Sequence, residues 1–103
     1  MREELLEELK RYLPIAYDDE ETDAFLESVL ERGKAILDDY AGTPQDYGRE
    51  GLAKQLLFDF CRYVRSHAEE MFEINFRRDL IALRETAERE YYEDQDTDRI
   101  SDL

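Results

Sequence analysis

Residues 23–42 read DAFLESVLERGKAILDDYAG. Placed at 100° per residue, Phe25, Leu26, Val29, Leu30, Ile36, Leu37 and Tyr40 share one broad face. That is the period of an amphipathic helix, not the alternation of a strand. Gly33 lies near the middle of the apolar face. A glycine in a helix interior costs about 1 kcal/mol relative to alanine, so its position predicts a close crossing with another helix. Gly42 supplies the residue type that most readily ends a helix in the left-handed conformation. A long helix with an apolar face and a glycine at its crossing point needs helical partners. The fold class follows: all-α, a small bundle.

The remainder of the chain agrees. Prolines and β-branched residues are sparse, and Leu, Glu, Arg and Ala favour helix. A first helix is predicted from about Arg2 to Leu13, with Leu5, Leu6, Leu9, Tyr12 and Leu13 on one stripe and Pro14 as its stop. In the linker PIAYDDEE, Asp18 is placed to cap the second helix, with Glu21 as the return partner of a capping box. After the turn-rich GTPQDYG, a third helix spans roughly Arg49 to Ser66, with Ala53, Leu56, Leu57, Phe60 and Val64 as its core stripe and Cys61 and Tyr63 beside it. A fourth starts near Asn75, a good N-cap, and carries Phe76, Leu80, Leu83, Ala87 and Tyr91 inward. About four helices over residues 1–92 are thus expected, followed by a flexible acidic C-terminal tail, EDQDTDRISDL, at 93–103.

At 103 residues the chain is one small domain. Its 28 acidic against 14 basic residues give a net charge of −14. Duplex DNA and anionic membranes are both bound through Lys and Arg, so acidity of this size argues for a protein partner, or for a surface that DNA passes without sticking. Cys61 is the sole cysteine, which excludes an intrachain disulfide and fits a reducing cytoplasm. MREELLEELK lacks the apolar run of a signal peptide, and no stretch approaches transmembrane length. A soluble protein made in the bacterial cytosol is expected.

Chemical signatures are few. His67 has Val64 and Tyr63 three and four residues before it, so the Glu-x-x-His metal pair is absent. Cys61 borders a helix-interior core stripe, where nothing would activate a thiol. Paired carboxylates such as Asp18–Asp19, Glu20–Glu21, Asp38–Asp39 and Glu69–Glu70 carry little information in so acidic a chain. They also lack the alternate spacing and central glycine of a calcium loop. No phosphate-cradling glycine loop exists. No catalytic residue, metal or cofactor is expected, and the chain does not read as an enzyme.

What remains is side chains that the helices do not need for their own core. Phe58 falls off the third helix's stripe, on the side of Arg62 and Arg65, and Ile81 and Tyr92 fall off the fourth's. Arg77 and Arg78 stand next to Phe72 and Phe76. Aromatic residues with arginines are the composition of an interface core. These nine residues are the expected contact set, and the acidic face of helices one and two on a neighbouring copy is their counterpart.

ELLEELKRYLPIAYDDEETDAFLESVLERGKAILDDYAG, residues 4–42, resembles the N-terminal half of tailed-phage head–tail connectors, the small helical head-completion or adaptor proteins of the HK97 and SPP1 type. Leu13, Ile15, Asp18, Asp19, Glu20, Phe25, Leu26, Ile36, Tyr40 and Gly42 carry the resemblance. GLAKQLLFDFCRYVRSHAEEMFEINFRRDLIALR, residues 51–84, is similar to the aromatic-rich helix, arginine-bearing loop and final helix that follow in that family. The GTPQDYGRE loop is where the pattern departs. The resemblance implies a homo-oligomeric ring, often of twelve subunits, docked beneath the portal protein of a virion. Such a ring extends the DNA channel and receives a stopper or tail-completion protein, binding the passing DNA without specificity. The alternative is a small acidic DNA mimic that occupies and inhibits a nucleic-acid-binding protein.

Overall fold

The computed structural model describes the backbone of residues 2–15 and 19–101, and the side chains of residues 4–15 and 19–93. The all-α expectation holds: the described residues form five α-helices and no strand. In order these are α1 (Arg2–Tyr12), α2 (Glu20–Ala41), α3 (Leu52–Arg65), α4 (Phe72–Asn75) and α5 (Arg77–Ser101), with a 3₁₀ turn at Glu69–Met71.

Helix α1 forms where the sequence places it and buries Leu5, Leu6 and Leu9, with Leu13 just beyond. Tyr12, expected on the same stripe, is instead 46% exposed at the side of the helix that faces Phe58. The expected Asp18 cap lies outside the described residues, and the N-cap of α2 is Asp19. Its carboxylate accepts the Thr22 N–H at 2.7 Å, which holds its pKa below the ordinary aspartate value. Gly42 closes the other end at φ 84°, its N–H donating to Asp38 O.

The glycine in the middle of α2 is explained by packing. A Cβ at Gly33 would stand 2.7 Å from Leu57 Cδ1 and 2.9 Å from Phe60 Cδ2. Those two core side chains of α3 occupy the space that a larger residue would need, so α2 and α3 meet at Gly33. Between these helices, Tyr47 folds back from the loop and donates its hydroxyl to Asp38 Oδ1 at 2.7 Å. The Gln45 N–H donates to the same carboxylate oxygen at 3.0 Å. Burial, then the Asp38 contact, raises the Tyr47 pKa. The turn-rich segment is therefore pinned to α2.

Helix α3 is covered nearly all round. Leu56 through Cys61 are consecutively buried. Helix α1 covers one side, through the Tyr12 ring 5.7 Å from Phe58 and the Tyr12 hydroxyl donating to Asp59 Oδ1 at 2.8 Å. On that side Lys54, only 5% exposed, is clasped by Glu8 of α1 and by Glu50. The two carboxylates raise its pKa, so it stays an ammonium ion. Helix α3 ends in a Schellman arrangement: Ala68 N–H donates to Tyr63 O, and His67 N–H to Val64 O. His67 is the left-handed residue of that motif, at φ 57°. A non-glycine residue pays strain there, and this cap is the role the structure gives the one histidine.

The region expected to be a single helix from Asn75 is a corner followed by a helix. Phe76 breaks the backbone at φ −111°, ψ 20°, and Asn75 donates its side-chain amide to the Tyr63 hydroxyl at 2.9 Å instead of capping. Helix α5 then runs to Ser101, so the segment expected to leave the domain as a tail at 93 continues the helix backbone.

Candidate interaction surface

The corner at α4 is built by aromatic packing. Phe72, 3% exposed, meets Phe60 edge-on at 5.3 Å and Tyr63 at 5.9 Å, and stacks with Phe76 at 5.0 Å. Tyr63 also meets Phe76 edge-on at 5.4 Å. Aromatic pairs of this geometry contribute about 0.5–1.5 kcal/mol each beyond their buried area. The cluster fixes where α5 begins, and so aims Arg77, Arg78 and Ile81 outward.

The nine residues expected at an interface divide. Phe58 and Phe72 belong to the core. Phe58, 8% exposed, is roofed by α1, and Phe72 anchors the aromatic corner. Phe76 is partly buried against the same core. Arg62 spans Asp59 at 3.4 Å and the Tyr63 ring at 5.0 Å, and Arg65 donates to the Pro14 carbonyl at 3.0 Å. Arg65 thereby ties the segment after α1 to α3, while Arg62 flanks the Asp59 carboxylate that accepts from Tyr12 of α1. Arg77, Arg78, Ile81 (53% exposed) and Tyr92 are all exposed on α5.

Other residues join this second group. Ile81 lines a small cleft of about 190 Å³ with Tyr40, Glu73, Arg77, Leu80 and Arg84. Its floor is apolar, and its rim carries two guanidinium groups and the Glu73 carboxylate. The Tyr40 hydroxyl there is pushed up to about 12, first by burial and then by its hydrogen bond to Glu73. Arg77 and Arg78 make no ion pair with another described residue, while Arg84 pairs with Glu88 at 3.3 Å, one turn on. Met71, Ile74, Phe25 and Tyr91 are also exposed. Tyr91, expected to face the core, lies instead beyond Ala87, the last buried residue of α5 among those described. The EEMFEIN pattern held a signal for Met71 and Ile74, which sit three apart on the face opposite Phe72 and Phe76. Phe25, expected on the apolar face of α2, sits at the margin of that face and is left exposed.

Cys61 is 1% exposed, and burial pushes its thiol up to about 12, the reverse of an activated nucleophile. Among the described residues, no three His, Cys, Asp or Glu side chains come together to hold a metal ion. No helix searched is long and apolar enough to cross a membrane.

No protein-family profile matches this chain, and no curated protein or solved structure matches it either. The likeness to head–tail connectors thus stands on the sequence pattern of the chain itself.

Proposed function

We propose that the chain is a structural subunit of a tailed-phage or prophage head–tail connector, assembling with copies of itself into a ring beneath the portal. The observation that carries the reading is the outer surface of α5. Ile81 and the arginines beside it are held outward on a corner locked by four aromatic rings. A rigid, partly apolar, cationic patch on a chain of net charge −14 is suited to protein contact. The helical-packing resemblance over residues 4–42 and 51–84 supplies the assembly to which that contact belongs. In that setting the subunit performs no catalysis. Its partners are its own copies, the portal protein and the stopper or tail-completion protein, and its place is the head–tail interface of a virion. The carboxylate surplus lets DNA slide past, because phosphates find few cations to grip.

Mass photometry of the purified protein, alone and with portal particles, tests the reading. Discrete rings, or a stoichiometric ring on the portal, are the expected result. A monomer that ignores portal particles and instead binds a basic nucleic-acid-binding protein, with affinity falling steeply as salt rises, would replace it with the DNA-mimic alternative.

A further inference from the structure

The cleft on α2 and α5 has a chemical complement elsewhere on the same chain. Phe25 stands 48% exposed on the first turns of α2. Glu21 lies one turn before it on the same side of the helix, and Glu20 opens the helix. Both glutamates are exposed, and among the described residues neither has a cation within ion-pair distance. An aromatic side chain flanked by uncompensated carboxylates is what an apolar cleft would accept whose lining sets two guanidinium groups, Arg77 and the Glu88-paired Arg84, against the single carboxylate of Glu73. Resting on the assembly reading above, we propose that this cleft receives Phe25 of a second copy of the chain, with Arg77 and Arg84 facing that copy's Glu21 and Glu20.

Geometry makes the occupant a second molecule. Phe25 and Tyr40 are both on α2, fifteen residues apart, which is about 22 Å along a continuous helix. No bending of a loop can bring a chain's own Phe25 into its own cleft. A second copy is favoured over an unrelated protein because one surface carries both halves of the complementary pair. The volume suits it as well: about 190 Å³ admits a single large side chain, so the contact is a knob in a hole. Since knob and hole lie at different places on the subunit, the contact is heterologous. Each copy offers a free knob and a free hole to the next, and the series closes into a ring or runs on as a filament. The neighbouring Arg78 and Ile81 would lie at the edge of the same contact.

Charge exchange tests the pairing. One variant carries Arg77→Glu with Arg84→Glu, and a second carries Glu20→Lys with Glu21→Lys. Each is compared with wild type by sedimentation velocity, with helix content and thermal unfolding measured alongside. Each variant alone should self-associate at least about tenfold more weakly, since like charges then face one another. An equimolar mixture should regain wild-type association, because each reversed surface finds its opposite on the other variant. Phe25→Ser, which leaves every charge in place, should weaken association as well and serves where the α2 variant fails to fold. Wild-type protein that assembles while the variants assemble equally well overturns this contact and leaves the connector reading standing. A mixture that stays dispersed overturns the contact too. Wild-type protein that is monomeric at every concentration and with portal particles overturns both.

Discussion

Helices α3 and α5 are both amphipathic by sequence, yet the molecule uses them in opposite ways. Helix α3 is enclosed: Leu56 through Cys61 are buried without interruption, and even Lys54 and Asp59 are covered. Helix α5 buries a narrow stripe of Leu80, Leu83 and Ala87 and leaves Ile81, Tyr91 and Tyr92 in water. The difference lies in how many neighbours each has. Helix α3 has α2 and the aromatic corner on one flank and α1 on the other, so residues on two faces find apolar partners. Helix α5 lies at the edge, about 37 Å long in a body of 57 × 29 × 17 Å. Its outer face is exposed to solvent. The enclosed apolar side chains belong to the first helix and the exposed ones to the second.

The largest effect should come from the enclosed side. Leu57 is fully buried and meets α2 at Gly33, so Leu57→Ala leaves a cavity that its rigid neighbours cannot fill. A loss of about 3 kcal/mol is expected, read as a lower urea midpoint. A loss under about 1 kcal/mol would mean that the crossing is loosely packed and the contrast between the two helices overstated.

A smaller and pH-dependent effect probes the same enclosure. Cys61 keeps its proton up to about 12 in the folded chain, against an ordinary thiol value of 9.0. Since the folded state binds that proton more tightly, this contribution is fully present below pH 9 and is lost as pH rises toward 12. The slope is about 1.4 kcal/mol per pH unit for one such group. Tyr40, raised from 10.0 to about 12, adds to the decline only above pH 10. In Cys61→Ala the onset of alkaline destabilisation should therefore move from about pH 9 to about pH 10. An unchanged onset would show that water reaches the thiol.

The smallest effect on stability belongs to α5. Ile81→Ser alters a residue already half in solvent, and unfolding free energy should shift by no more than about 0.5 kcal/mol. Self-association should weaken in the same variant. A large loss of stability instead would place Ile81 in the core, and the distinction between the helices would collapse.

These two helices also show where sequence reasoning succeeded and where it missed. For α5 the pattern was legible as far as Ala87: Leu80, Leu83 and Ala87 face inward and Ile81 outward, because an edge helix has one buried face, whereas Tyr91, expected inward, lies past the last covered turn. For α3 the same rule misplaced Phe58. A periodic pattern assigns each helix one apolar face, whereas a helix roofed by α1 as well has two. Arg65 reaches the Pro14 carbonyl, and Arg62 the Asp59 carboxylate that also accepts from Tyr12, contacts that one helix's period does not show. The break at Phe76 escaped notice because Asn75 is a good cap by type, and only the packing of Phe72 on Phe60 turned the chain there.

By itself the sequence determined the class, the ends of α1, the C-terminal end of α2 and the tight crossing at Gly33. Those features are local: helical period, the stop at Pro14, the left-handed exit at Gly42, the missing Cβ. Tertiary structure alone decided which apolar side chains are spent inside and which remain outside. Burial depends on what lies over a face, and α1 returning across α3 cannot be seen from within either helix. The cleft between Tyr40 and Ile81 was settled in the same way, since its walls come from residues some forty positions apart.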